Sequence, residues 1–231
     1  GVLPKDRKLC GEIYARGTHV ECFEDFLGDV LEGKPFHFWF CSNDPHRGYK
    51  PQAHMAERLA RIDVPSYRED TPEIRQDVAD YAFEVERFDS ETGQMIAMLE
   101  ERGLLENRIV IMSSDHGMPF PRAKGDTYMA GNHVPLAIMW ADQIAQSDRS
   151  IDSLVSFVDI APTNLGLANV NAGETRMELL AGRSWAEIFD GNDIEQPIAE
   201  RRQVIYGRER HDTKTQNALT ISRRIRNSLL C

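Results

Sequence analysis

The sequence predicts an α/β fold, and three observations carry that reading. Short β-branched or aromatic runs alternate with longer segments of helical period, the short runs end in polar loops, and no internal repeat or low-complexity tract interrupts them. With 231 residues, 41% of them apolar and 28% charged, the chain can bury one sizeable core.

The first predicted strand is Pro35 to Cys41, dense in aromatics and closed by the loop Ser42-Asn43-Asp44-Pro45. From Pro72 to Arg102 the apolar residues Ile74, Val78, Tyr81, Val85, Phe88, Met95, Ile96 and Leu99 recur at steps of mostly three and four. This spacing predicts one amphipathic helix, capped by Thr71, opened by Pro72 and stopped by Gly103. The run Arg108 to Ser113 has no helical period and ends in Ser114-Asp115-His116-Gly117, as a buried parallel strand with a polar tip would. Val134 to Trp140 reads as another strand, and a helix within Ile151 to Ala168 is expected to start near Asp159-Ile160-Ala161-Pro162. A strand over Val204 to Gly207 follows.

Charge and cysteines narrow the function classes. A net charge of −10 argues against a general nucleic-acid binder, which needs a basic surface to displace counterions, so an anionic substrate must meet a locally positive pocket. No apolar run approaches the length of a membrane span, Gly1-Val2-Leu3-Pro4 carries no signal-peptide pattern, and localisation is left open. Cys10, Cys22, Cys41 and Cys231 have neither CxxC spacing nor the density of a disulfide scaffold, so buried or incidental thiols are expected.

Ligands of open α/β sheets bind beyond the carboxyl ends of strands, where Asp44-Pro45-His46 and Asp115-His116 both fall. A carboxylate beside an imidazole at a strand tip, followed by Gly117, suits a metal; a loop-capping Asp over a hydrogen-bonded His is the competing reading. His46, between a proline and an arginine, reads as a donor to an anion or as a solvated loop histidine. Lys124 lies in Pro119-Phe120-Pro121-Arg122-Ala123-Lys124-Gly125, whose prolines limit backbone freedom and so could aim a cationic side chain; a merely solvated lysine is the alternative. Together, a His, a Lys and an Asp-His pair fit oxyanion chemistry.

These segments, taken in order, resemble the sulfatase family, and in particular its branch similar to heparan N-sulfatase. The residues carrying the resemblance are Lys34-Pro35-Phe36 through Asp44-Pro45-His46-Arg47, Leu104 through Gly117, Pro119 through Lys124, Tyr128 through Leu136, and Val155 through Thr163. It implies an alkaline-phosphatase-like α/β fold, a mostly parallel sheet with flanking helices, and a partial sulfatase domain over residues 1–231. Asp115 and His116 then match the second pair of metal-site residues, His46 the histidine that contacts the sulfate, and Lys124 the lysine that bridges sulfate and nucleophile. Glu209 and His211 match substrate-pocket positions more loosely. Arg47 and His133 are pocket candidates, each readable also as a surface residue, the reading favoured for Arg47. The implied metal is calcium, although an imidazole ligand suits zinc or manganese better. Family members are commonly periplasmic, extracellular or lysosomal.

The chain also departs from the family. It contains no C/S-x-P-x-R motif for a formylglycine nucleophile, no adjacent pair of aspartates and no Gly-Lys-x-His element, while Ile221 to Asn227 resembles the start of a family strand. The sheet is therefore expected to be incomplete, lacking amino-terminal strands and the carboxy-terminal subdomain; the amino-terminal part belongs either to a longer parent sequence or to a separate segment or chain, and both readings stay open. Three functions stay open: a sulfuric ester or sulfamate hydrolase acting on a sulfated sugar, a phosphodiesterase or phosphonate hydrolase of the same superfamily, and a non-catalytic remnant that binds glycans or a partner.

Overall fold

The computed structural model describes residues 19–30, 33–49, 52–144, 148–174, 177–189, 203–208, 220–225 and 228–230. The chain divides into two compact units, Gly1–Leu105 and Glu106–Cys231. No described helix is long and apolar enough to cross a membrane.

The first unit is organised by one long helix. Helices α1 (His19–Asp29) and α2 (Ala56–Ala60) both pack on α3 (Pro72–Glu101). The ends of α3 follow the sequence signals: the Thr71 hydroxyl accepts from the Ile74 amide at 3.3 Å, and Pro72 occupies the first turn, where its missing N–H costs nothing. At the other end Gly103 takes φ +64°, which lets its amide reach the Glu100 carbonyl at 2.9 Å and the Leu104 amide reach Leu99 at 2.8 Å. Both bonds satisfy carbonyls that the helix itself leaves unpaired. Ala79, Met95 and Leu99 are buried along its apolar face.

The expected strand Pro35 to Cys41 keeps strand alternation without a strand partner among the described residues. Phe36, Phe38 and Phe40 turn inward while His37 and Trp39 face out, with Trp39 71% exposed. Ring contacts hold the segment in place of a hydrogen-bonded ladder. Phe38 lies 4.8 Å from Phe23 and 4.9 Å from Phe26 on α1, and Phe40 stacks on Phe88 of α3 at 5.6 Å. Cys22, buried on α1, is disulfide-bonded to a partner outside the described residues, which corrects the expectation of a thiol there; Cys41 keeps its thiol, whose sulfur accepts from Trp39 Nε1 at 2.7 Å.

In the second unit the described sheets are antiparallel, which corrects the parallel reading. Strand β1 (Val110–Ser113) pairs with β2 (Leu136–Met139), Val110 opposite Met139 and Ser113 opposite Leu136. The physical reason lies between them. A parallel return needs a crossover, usually a helix, and residues 114–135 carry only the four-residue α4 (Met129–Asn132) amid glycines and prolines. A second antiparallel sheet orders β3 (Gln203–Arg208), β4 (Thr220–Ile225) and β5 (Ser228–Leu230). The expected strand at Val204 thus exists, and β4 falls on the segment that resembles a family strand.

The expected helix within Ile151 to Ala168 starts where anticipated, as a 3-10 turn at Phe157–Asp159 running into α5 (Ile160–Leu167). Asp159 is fully buried and fully used: Oδ2 accepts from the Ser156 amide and Oδ1 from the Arg183 amide, each at 2.9 Å. The Thr163 hydroxyl donates to the Asp159 carbonyl at 2.7 Å and accepts from the Trp185 amide at 3.1 Å. Trp185 and Phe189 are thereby seated in an apolar cluster with Ile109, Ile138, Val155 and Leu167.

Replacing Thr71 by Ala leaves the Ile74 amide without its acceptor and is expected to cost about 1 kcal/mol. Urea denaturation followed by circular dichroism measures this; an unchanged midpoint contradicts the cap's contribution.

Candidate functional site

Asp115 and His116 sit immediately past the carboxyl end of β1. The His116 Nδ1 lies 2.8 Å from the Gly117 carbonyl oxygen, an atom that only accepts, so Nδ1 carries the proton and Nε2 is the basic nitrogen. That Nε2 stands 3.5 Å from Asp115 Oδ2, and the two side chains are 37% and 85% exposed. The pair therefore offers one nitrogen and one carboxylate toward the same space. It fits as part of a divalent cation's coordination sphere and not as the whole of it, since calcium takes about six to eight oxygen ligands. Among the described residues no group of three or more His, Cys, Asp or Glu side chains is gathered to hold a metal ion.

The loop from 114 to 133 is held by close backbone approach. The Gly117 amide donates to the Gly131 carbonyl at 3.0 Å, and a Cβ on Gly117 would run into the Ala130 carbonyl oxygen. A Cβ on Gly131 would likewise meet the carbonyl oxygens of Ala123 and Asp126. Three stretches of backbone thus cross where only glycine leaves room. The crossing brings Lys124 and His133 onto the same loop as Asp115 and His116. The Lys124 amide donates to the Met118 carbonyl at 3.1 Å between buried Phe120 and Ala123 and the turn at Gly125, φ +76°. Its half-buried ammonium makes no hydrogen bond or ion pair among the described residues. Arg122 adopts φ +62° and lays its guanidinium 5.7 Å from the Tyr128 ring.

An open groove of about 1170 Å³ in this unit is lined by Asp115, His116, His133, Trp185, Phe189 and Tyr206, among others. Asp115, His116 and His133 therefore share one concavity. Gly125 and Asp126 reach it, whereas Lys124 is not among its lining residues. Glu209 and His211 lie outside the described residues.

His46 and Arg47 belong to the first unit. The Asp44–Pro45 peptide is cis, the Asp44 amide donates to Ser42 Oγ at 3.0 Å, and the His46 amide donates to the Asn43 carbonyl at 2.7 Å. The exposed His46 ring repeats the arrangement at His116: Nδ1 is 2.9 Å from the next residue's carbonyl, here Arg47, which leaves Nε2 for an external partner. Arg47 is bidentate to Asp77 at 2.9 and 2.7 Å and lies 5.3 Å from the Tyr49 ring. The Asp77 hydrogen bond raises the Arg47 pKa, and burial pushes the Tyr49 hydroxyl up to about 12.

Helix α3 adds residues that the sequence reading did not single out. Asp80, 8% exposed, uses one oxygen to accept from the Gln52 amide at 3.1 Å, His54 Nε2 at 2.9 Å and Gln76 Nε2 at 3.1 Å. Arg87 pairs with Glu84 at 2.7 Å and Asp44 at 3.3 Å. Burial and the neighbouring Asp44 carboxylate hold the Glu84 pKa above its ordinary value, although Arg87 opposes the shift. The available signal was spacing: 77, 80, 84 and 87 advance by three, four and three, a second stripe on a helix read only for its apolar one.

A family model described as sulfatase matches residues 17–170. An ulvan-active sulfatase of Formosa agariphila is 28% identical over 155 residues, covering 67% of this chain and 24% of that protein. An N-sulphoglucosamine sulphohydrolase of Homo sapiens is 31% identical over 102 residues, covering 44% of this chain and 20% of its own length. An endo-4-O-sulfatase of Bacteroides thetaiotaomicron is 27% identical over 174 residues, 68% of this chain and 33% of the relative. The chain thus spans a third or less of the length of these relatives.

The glycine crossing generates a direct test. Gly117→Ala places a methyl group on the Ala130 carbonyl and is expected to destabilise the second unit by about 3 kcal/mol or more. Thermal unfolding reads the loss; a melting temperature equal to that of the unsubstituted chain contradicts the close approach.

Proposed function

Because the chain belongs to the sulfatase family, we propose that it forms part of a metal-dependent sulfuric ester or sulfamate hydrolase acting on a sulfated sugar. His46 and Lys124 bind the sulfate, Asp115 and His116 hold the metal, and Arg47, His133, Glu209 and His211 line the substrate pocket. The metal is calcium, a divalent ion being general in the family. The observation that carries this reading is a loop at the end of β1 that presents an Asp115–His116 pair and, a few residues on, a Lys124 ammonium with no partner among the described residues.

The chemistry follows from charge. A sulfate ester carries a tetrahedral, monoanionic sulfuryl group whose transfer builds negative charge on the leaving oxygen, and a fixed ammonium there stabilises the transition state more than the ground state. Lys124 has that capacity because no carboxylate among the described residues neutralises it. His46, with Nδ1–H committed to the Arg47 carbonyl, donates through Nε2 when protonated and so binds an oxyanion as imidazolium. When bound, the metal supplies further positive charge against the sulfate oxygens. In the family the attacking group is a formylglycine hydrate; the residues here bind and orient the anion and none of them replaces that nucleophile.

A second reading is a non-catalytic module that binds sulfated glycans. It is supported by the absence of a three-ligand metal group among the described residues. A phosphodiesterase or phosphonate hydrolase of the same superfamily would use similar Asp-His ligands, but the Pro119 to Lys124 segment favours sulfate. Titration calorimetry with a sulfated monosaccharide is the test. Lys124→Ala is expected to abolish measurable binding, and binding that persists unchanged contradicts the assignment of the anion to this loop.

A further inference from the structure

We propose that helix α3 is the positioning element for His46, with Asp77 and Asp80 as its positioning residues; the inference rests on the reading of His46 as a sulfate contact. The chain of contacts is continuous. Asp77 grips the Arg47 guanidinium with two hydrogen bonds, Arg47 also packs against the Tyr49 ring, and the Arg47 backbone carbonyl accepts the Nδ1–H of His46. The rotation of the His46 ring, and hence the direction of Nε2, is therefore set by a carbonyl whose own residue is tied to α3. On either side of Asp77 in the helix, Gln76 and Asp80 hold both backbone groups of Gln52: its amide donates to Asp80 at 3.1 Å and its carbonyl accepts from Gln76 at 2.8 Å. Before His46, Arg87 pairs with Asp44 at 3.3 Å. The segment carrying His46 is thus pinned to one helix face upstream, at, and downstream of the histidine.

Stability alone does not account for this arrangement. The Arg47–Asp77 pair is partly solvated, with side chains 44% and 33% exposed, and exposed ion pairs contribute little to folding. Electrostatics does not account for it either. A carboxylate bound to the neighbour of an anion-binding histidine repels the anion, so on charge grounds alone removing Asp77 would strengthen sulfate binding. Positioning predicts the opposite sign, because a displaced donor loses its geometry with the bound anion.

The experiment compares the full chain with Asp77→Asn, Asp77→Glu and Asp80→Asn. The imidazole ¹⁵N and ¹³C signals of His46, assigned with His46→Gln, report its tautomer without ligand; calorimetry reports affinity for inorganic sulfate; thermal unfolding reports stability. Asp77→Asn is expected to release His46 from the Nδ1–H form and to weaken sulfate binding about tenfold at nearly unchanged melting temperature, with partial recovery in Asp77→Glu. Asp80→Asn, at a buried carboxylate, moves the same His46 signals. His46 signals identical to the unsubstituted chain in both Asn variants, or sulfate affinity that rises in Asp77→Asn, overturns the proposal. If no form binds sulfate and the His46 tautomer still follows Asp77, the positioning role stands and the sulfate reading falls.

Discussion

Irregular backbone must still pair its amides and carbonyls once it is buried, and in this chain two buried carboxylates take on that duty. Asp80 on α3 receives a backbone amide, an imidazole and a side-chain amide on one oxygen. Asp159, ahead of α5, receives backbone amides from Ser156 and Arg183 on its two oxygens. Each sits on or beside a helix and ties down a segment that no described strand supports. A carboxylate accepting several N–H groups keeps its charge satisfied, whereas losing a donor would leave buried charge exposed to an apolar surround. The segment bearing His46 depends on the first of these anchors, and the packing of Trp185 depends on the second through Thr163.

The candidate chemistry separates cations by how they are held. Arg47 and Arg87 are consumed by carboxylates of α3 and loop, and Arg122 lies over an aromatic ring, while the Lys124 ammonium has no partner among the described residues. In an acidic chain of net charge −10, an unpaired cation on a loop fixed by glycine crossings is where an anion would gain most. The two candidate histidines share a device: each donates Nδ1–H to the carbonyl of the following residue, which commits Nε2 to the outside. At His116 this leaves a basic nitrogen to act as a ligand, and at His46 a nitrogen that donates once it carries a proton.

Much of this was legible in the residues. Thr71, Pro72 and Gly103 bounded α3 because caps and stops act locally, and the runs ending at Ser113 and Trp140 marked β1 and β2 because β-branched residues favour extended backbone whatever their partner. Direction was not legible, since an apolar run is the same read parallel or antiparallel; the missing crossover helix between 114 and 135 was the clue. Pro35 to Cys41 carried strand alternation but found rings where a ladder was expected. Helix α1, with Cys22, Phe23 and Leu27 buried at helical spacing, went unread. At the site, Asp115, His116 and Lys124 stood out by type and setting, whereas Asp77 and Asp80 did not, because a carboxylate on an amphipathic helix looks solvated until the segment packed on it is known.

The central claim is that the loop carrying Asp115, His116 and Lys124 meets a sulfate through the Lys124 ammonium. Titrating the isotopically labelled chain with inorganic sulfate, while following the Lys124 ammonium and His116 imidazole signals, tests it most directly. Both signals are expected to move along one isotherm with one dissociation constant. A Lys124 signal that stays in place at saturating sulfate would contradict it.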